Sequence, residues 1–534
     1  MPEKKTPEIV SVSALELEQL LTELRRQLAP ATYQLVEALL RTLQWVMALL
    51  EEKTASLAQL RRVLFGSKTE TTEQLFPKGS AGDSSSTRQA ASTPKPKRKG
   101  HGRKGAQEYP GALRVKVPHP TLRAGQVCSK CLKGKLYLLK VPARLIRLVA
   151  KPIFQATLCE LEQLRCALCG ALFTAPAPPE ARQGKYDPSV GIMLGIMRYG
   201  AGLPMYRMAQ WQQYFGVPLP ASTQWELIDA ASKVPAVVYE TLIDTAAQGR
   251  LLHNDDTTMR VQSLRKEIAS APDTPNKRTG IFTTSIVSQV DDHPIALFFT
   301  GQKHAGENLD QVLKHRSANL PKPLQMCDAL ARNQSKEFAT LLCHCLLHGR
   351  RNFVGVVDSF PEPCRKVIES FREIYRVDAL AKKQQLSDAQ RLVLHQQHSQ
   401  PVMDSLHQWM KEQLEQKQVE PNSGLGQAIH YLLEYWEPLT RFLSVPGAPL
   451  DNNICERALK TAIMHRKNSL SYKTLHGAEV GDIFMSLIHT CQLNDVNPFD
   501  YLMALDKHGE AVRQQPTRWL PWNYRETMAA LDTG

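Results

Sequence analysis

Glu456 lies in the stretch PLDNNICERALKTAIMHRKNSL, residues 449–470, between an Asp-Asn-Asn lead-in and the cations Arg457, Lys460, Arg466 and Lys467, on what reads as one helix. A carboxylate held among cations points to metal and phosphate chemistry. Two further acids stand in settings that suit the same chemistry, Asp255 after the apolar start of RLLHNDDT and Asp328 at the end of LPKPLQMCD. Three such carboxylates can hold two divalent cations, which activate an attacking oxygen and stabilise the leaving oxygen in a phosphodiester displacement. Mg²⁺ suits all-oxygen ligands and tolerates retained waters and substrate phosphates, with Mn²⁺ as the alternative. Asn453, one turn before Glu456, and Lys460, one turn after, share its helix face. Asn452 and Asn453 are expected to orient the carboxylate or bind a phosphate, Arg457 and Lys460 to neutralise the strand being cut, and Arg466 and Lys467 to contact DNA with them. Taken alone, the segment would read as a capped surface helix with scattered charges.

Asp255 and Asp256 are adjacent. Neighbouring strand residues point to opposite faces, so only one of them can face the metals. The other is expected to cap the turn with Thr257.

A second metal chemistry is written in sulfur. Cys128-Ser-Lys-Cys131 and Cys166-Ala-Leu-Cys169 supply four thiolates in two knuckles, the ligand set of a closed structural Zn²⁺ site. The interval between them alternates like strands, so a zinc ribbon is expected, although the gap exceeds the commonest spacing. Cys159 reads as a buried or spare thiol and His119 as an ordinary loop histidine. The run His344, Cys345 and His348 reads as a core histidine segment and not as a further zinc site.

The chain has 534 residues, 66 Lys and Arg against 52 Asp and Glu, and 11 Cys. That length suggests several domains, and the formal +14 leaves a basic excess for a polyanion. No apolar run approaches membrane-spanning length, and the charged N-terminus lacks the apolar core of a secretory signal. A cytoplasmic protein is expected, nucleoid-associated when bound to DNA, with no membrane partner. The cysteines suit metal binding and buried thiols better than a disulfide framework.

The order Asp, Asp, Glu and the wording around each acid resemble the insertion sequence IS 66 family of bacterial DDE transposases. The parts that carry the resemblance run in one order: RRVLFGSKTE, KRKGHGRK, the paired CxxC knuckles, GLPMYRMAQ, HNDDT, CHCLLHGRRNF, DNNICERALK, HRKN, LNDVNPFDYL and LPWN. The family's His-x-Asp-acid-Thr pattern selects Asp255 over Asp256. It implies Asp255, Asp328 and Glu456 as the catalytic ligands of two Mg²⁺. It also implies double-stranded DNA, both element ends and target, as partner, a homo-oligomer in a synaptic complex, and two small accessory proteins. The chain departs from the family at Ala329-Leu330, where Asp-Gly-Tyr is usual, and at Leu346-Leu347 in a Cys-Trp-Ala-His-x-Arg-Arg segment. Arg350 and Arg351 of that segment are expected to reach DNA phosphates, with His348 supporting the site. The rival from another class is a non-catalytic zinc-ribbon and helix-turn-helix regulator on a decayed nuclease core. A nuclease that cuts without joining is a third reading.

The elements that must position these residues follow. Residues 1–70 form a helical segment in which Val36, Leu39, Leu43, Val46, Leu50, Leu57, Leu60 and Leu64 recur in steps of three and four. That is a heptad pattern, read either as a coiled coil or as an amphipathic helix packed on its own chain. Residues 71–116 form a disordered basic linker, too poor in apolar residues to offset ordering entropy. Its Lys95, Lys97, Arg98, Lys99, Arg103 and Lys104 are expected to contact DNA phosphates. The ribbon occupies 117–180, and 181–248 a helical, helix-turn-helix-like DNA-binding domain. There Ser222 would cap a second helix starting near Thr223, with a structural hairpin as the alternative. Residues 249–475 are expected to be an α/β RNase-H-like catalytic core, its strands RLLHND, TGIFTTSIVS, PIALFFT and LQMCD, its VDDH a turn, and a helix running from about Glu307 to His315. A helical insertion interrupts it at about 353–436, and 476–534 is a C-terminal helical region.

Overall fold

The computed structural model describes residues 184–532 apart from 273, 275 and 276, residues 120–182 apart from 128, 129, 132, 140–152, 166, 168, 170 and 171, and eight helical positions between 21 and 40. The heptad stripe beyond Val36, the basic linker with Lys97, Arg98, Lys99, Arg103 and Lys104, and the thiols Cys128 and Cys166 lie outside the described residues.

Five strands form one mixed sheet: β1 (Leu251–Thr258), β2 (Phe282–Val290), β3 (His293–Gly301), β4 (Leu324–Cys327) and β5 (Leu341–His344), in the order β3-β2-β1-β4-β5. The first three are antiparallel neighbours, and β4 and β5 run parallel to β1. This is a mixed α/β core consistent with the RNase-H-like expectation. Strands β2 and β3 meet at Asp291-Asp292, where Asp291 takes φ 48°. A short polar side chain tolerates that left-handed conformation, so the turn expected from VDDH forms there.

The helices are α1 (Pro188–Gly195), α2 (Met205–Tyr214), α3 (Ala221–Ala246), α4 (Gln262–Ser270), α5 (Ala305–Leu313), α6 (Leu346–Gly355), α7 (Pro361–Lys383), α8 (Asp388–His398), α9 (Gln400–Glu415), α10 (Gly424–Glu434), α11 (Trp436–Leu439), α12 (Asn453–Ser469), α13 (Leu475–Leu493), α14 (Pro498–Lys507), α15 (Gly509–Gln514) and α16 (Tyr524–Asp532). Among the described residues, no helix is long and apolar enough to cross a membrane. Helix α5 starts two residues before the expected Glu307. Asp256 accepts a hydrogen bond from the Ala305 amide, and Glu307 accepts one from the His304 amide, so the first orphan donors are met there. Helix α4 is not among the expected elements.

The helix expected from about Thr223 is the start of the 26-residue α3. Pro220, not Ser222, occupies its N-cap. Pro220 presets a backbone that enters a helix without losing a useful donor. Gln224 is buried and donates to the Leu219 carbonyl at 2.8 Å, and further along Tyr239 Oη donates to the Phe298 carbonyl of β3 at 2.8 Å. The same apolar core holds Ile228, Leu242, Ile286, Leu297 and Phe484, so α3 and the C-terminal α13 cover the sheet together.

Strand β3 is an edge, and α13 closes it. Thr490 Oγ1, Ser486 Oγ and Asp482 Oδ2 accept hydrogen bonds from the amides of Ala296, Phe298 and Thr300 at 3.1, 2.9 and 2.6 Å, and Asn494 donates to the Pro294 carbonyl at 2.9 Å. Four residues of helix advance about 6 Å and two residues of strand about 6.6 Å. One helix face can therefore satisfy alternate groups of the strand, which removes a sticky edge.

Strands β4 and β5 border a second apolar cluster, built from Phe353, Cys364, Phe371, Met403, Leu406 and Ile429 among others. Helices α6, α7 and α9 to α11 contribute to it, across the span where a helical insertion is expected.

Candidate active site

The parallel register pairs Leu251 with Leu324 and His253 with Met326. Continued two residues, it sets Asp255, midway along β1, beside Asp328, which follows the last residue of β4. One amide holds both acids: Asn333 Nδ2 donates to Asp328 Oδ1 at 2.7 Å and to Asp255 Oδ1 at 3.3 Å. Asn333 is fully buried on a one-turn 3-10 helix, and its own carbonyl accepts from Asn254 at 2.6 Å and Gln325 at 2.9 Å. That turn comes so close to α5 that a side chain at Gly306 would collide with the Gln334 carbonyl. Only glycine admits such an approach. Nothing in the sequence marks Asn333 beyond its place five residues after Asp328.

The Asp255 carboxyl is pushed up to about 7, by burial first and then by the Asp328 charge, with Asp256 and Glu456 adding to it. Like charges gathered under partial burial form a site that a divalent cation would neutralise. The donor set is carboxylate oxygen, so Asp255 and Asp328 fit a hard ion.

Asp256 turns the other way, as adjacent strand residues must. Its Oδ2 lies 2.9 Å from His304 Nδ1 and its side chain is 2 % exposed. It caps α5 and does not cap the turn at Thr257, because the orphan amides of α5 lie within its reach and leave it no freedom to fold back.

Glu456 arrives on α12, which packs across β1 and β2. Arg351 of α6 donates to its Oε2 at 3.2 Å and lies 3.3 Å from His348 Nε2. Glu456 Oε1 and His348 Nδ1 are buried without a partner. One ligand atom each from Cys345, His348 and Glu456 lies within 4.8 Å of the other two. Burial, then the Arg351 charge, lowers the His348 pKa. An open cleft of about 810 Å³ begins here, lined by Asp328, His348, Arg351, Asn422, Gln427 and Tyr431 among others.

Two expected roles change. Asn452, 1 % exposed, spends its carboxamide on β1, with Oδ1 3.0 Å from His253 Nδ1 and Nδ2 donating to the Asn254 carbonyl at 3.1 Å. It pins the entry of α12 to the sheet and has no free group for a phosphate. Arg466 donates to Thr257 Oγ1 at 3.1 Å, to Thr258 Oγ1 at 2.6 Å and to the Thr258 carbonyl. Its Nη1 is held at the end of β1. Arg457, Lys460 and Lys467 are exposed, and Asn453 and Arg350 are half-buried.

Cys131 and Cys169 are exposed. The Gly134 amide donates to Cys131 Sγ at 3.4 Å within a hairpin closed by the Val127–Lys135 bridge. Two short antiparallel strands, Gln163–Arg165 and Leu172–Thr174, flank the second knuckle.

Residues 184–480 match the family model described as Transposase IS66 family. The uncharacterized protein y4jD of Sinorhizobium fredii is 26 % identical over 506 residues, covering 88 % of this chain and 94 % of that protein. The uncharacterized protein y4hP of the same organism is 23 % identical over 398 residues, 69 % of this chain and 68 % of that one.

Proposed function

Because the chain belongs to the IS66 family of transposases, we propose that it binds the terminal inverted repeats of an insertion sequence, cleaves a phosphodiester at each end and joins the freed 3′-hydroxyl to target DNA. The family carries the coarser statement, a DDE transposase acting in DNA transposition. The observation that carries the finer one is the Asp255–Asp328 pair under the Asn333 amide, with Glu456 brought over the same strand by α12.

In this reading Asp255, Asp328 and Glu456 hold two Mg²⁺ or Mn²⁺. Bound ions of that kind supply Lewis acidity to the attacking and leaving oxygens. The chain's own residues do the rest. Asn333 keeps two carboxylates converged although their charges repel. Arg351 holds Glu456 in place until DNA phosphate competes for the guanidinium. Arg457 and Lys460, exposed beside Glu456, offset charge on the strand being cut. No side chain is needed as a covalent nucleophile, since water and then the DNA hydroxyl attack in turn. A regulator on a decayed core would have no use for three retained acids.

Cys128, Cys131, Cys166 and Cys169 are proposed to hold one structural Zn²⁺. An amide donor on the Cys131 sulfur, as Gly134 provides, stabilises the thiolate that zinc requires. Labelled element ends incubated with purified protein and Mg²⁺ test the reading: both nicked and joined products are expected. Nicks without joining would reduce the protein to a nuclease, and neither product in the presence of bound DNA would sink the transposase chemistry.

A further inference from the structure

We propose that Cys345 Sγ, His348 Nδ1 and Glu456 Oε1 form a site for a soft divalent cation of the zinc class, separate in donor chemistry from the all-oxygen Asp255–Asp328 pair. The three residues come together from two elements. Cys345 occupies the N-cap position of α6 and His348 stands three residues on, on the same face, while Glu456 approaches from α12. One ligand atom of each residue already lies within 4.8 Å of the other two. Ligands around tetrahedral zinc stand about 3.3–3.8 Å apart, so small side-chain rotations close the gap.

Two observations single the cluster out. His348 Nδ1 and Glu456 Oε1 are buried and unpartnered, and buried polar atoms in a folded protein ordinarily have a partner. The sulfur is set among amides: the Asn452 N–H donates to it at 3.4 Å, and the Leu347 and His348 amides also point to it. Burial pushes the Cys345 thiol up to about 11 and these amides only oppose that, so it is a bound cation that would hold the sulfur as a thiolate. Thiolate, imidazole and carboxylate together select Zn²⁺ or Co²⁺ over Mg²⁺, which shuns sulfur and keeps its waters. Since His348 also lines the open cleft, a fourth position is left to water or a phosphate oxygen, the arrangement of an open zinc site.

Arg351 competes with this ion. It now touches His348 Nε2 and Glu456 Oε2. A ring ligated through Nδ1 carries its proton on Nε2, so that hydrogen bond is given up on binding. Glu456 cannot serve a zinc-class ion and the Mg²⁺ set together. Resting on the function proposed above, the consequence is that Zn²⁺ acts as an inhibitor of strand cleavage.

The test uses full-length protein carrying one Zn²⁺ per chain, for the four-cysteine ribbon, titrated with Co²⁺ and read by the thiolate-to-cobalt absorption and by metal content. Wild-type protein is expected to take one equivalent more than Cys345→Ser, with a single-thiolate band in the difference spectrum. His348→Gln, at the cleft wall, and Glu456→Gln should weaken that binding at least tenfold. Asp255→Asn should retain it, and Arg351→Ala should tighten it. Equal metal content and identical spectra for wild type, Cys345→Ser and His348→Gln would overturn the proposal. In the cleavage assay, Zn²⁺ added over Mg²⁺ should inhibit wild type more than Cys345→Ser. Cobalt binding without any Mg²⁺-dependent cleavage would leave this site standing and remove the transposase reading instead.

Discussion

At Asp255 the folded carboxyl is pushed up to about 7 against 3.8 unfolded. The folded state therefore binds the extra proton between those values, and stability falls as pH rises through that window. Each pH unit crossed is worth about 1.4 kcal/mol. Asp255→Asn removes the charge and keeps the shape, so the metal-free variant should be more stable than wild type at pH 8, on the order of a few kcal/mol. The gain should vanish below about pH 4, where the acid is protonated in both states. Denaturant titrations at the two pH values check this; a variant equally destabilised at both would mean that Asp255 carries no electrostatic strain. The same substitution should abolish cleavage, as should Asp328→Asn and Glu456→Gln, and the three losses should not add, because one missing ligand disables the shared site. Asp256→Asn should instead cost stability through the cap of α5 and leave chemistry largely intact. Asn333 is a positioning residue. Asn333→Ala keeps the backbone carbonyl that Asn254 and Gln325 use but frees the two acids to part, so metal affinity should fall about 10- to 100-fold, measured by calorimetric Mn²⁺ titration.

Among the elements, the pairing of α13 with β3 makes the most exposed demand on sequence. Ser486→Ala leaves the buried Phe298 amide without an acceptor, a loss of about 1–3 kcal/mol, and Thr490→Val does the same at Ala296. Thermal melts should show both, while Ser→Ala elsewhere on the surface should stay within about 0.5 kcal/mol. Hydrogen exchange should quicken at β3 amides 296–300 first. Unchanged protection there would mean that water replaces the hydroxyls. The pairing explains why the span from 476 onward folds over the sheet: its Asp, Ser, Thr and Asn at four-residue intervals are the missing neighbours of an edge strand.

For the whole molecule, charge and zinc make separable predictions. Replacing Lys97, Arg98, Lys99 and Arg103 by Ala should weaken binding to all DNA sequences alike. It should also flatten the slope of log affinity against log salt by about 0.9 for each phosphate no longer neutralised. Weakening confined to one sequence would mean base reading instead. Chelating zinc should loosen residues 117–176 in hydrogen exchange and leave the sheet protected, because apolar side chains such as Ile286, Leu297, Leu242 and Phe484 build its core.

Short-range chemistry was legible in the sequence. The first four strands of the sheet, the turn at Asp291-Asp292 and the long polar-apolar helices after Phe353 follow from alternation and turn residues, which act within a few residues, and membership of the IS66 family follows from motif wording. Pairings across the chain were not. Asn452 and Arg466 read as phosphate ligands beside Glu456, yet both are tied to β1, some 200 residues earlier in the chain, since an unpaired strand end draws whatever donor the fold brings near. Asn333 and the face Asp482, Ser486, Thr490 and Asn494 have no local signal, because a polar side chain's role is set by its partner. Cys345 and His348 looked like core filling until α12 carried Glu456 to them. Sequence determines which groups can do chemistry; only the packing of α6, α12 and the sheet decides which of them meet.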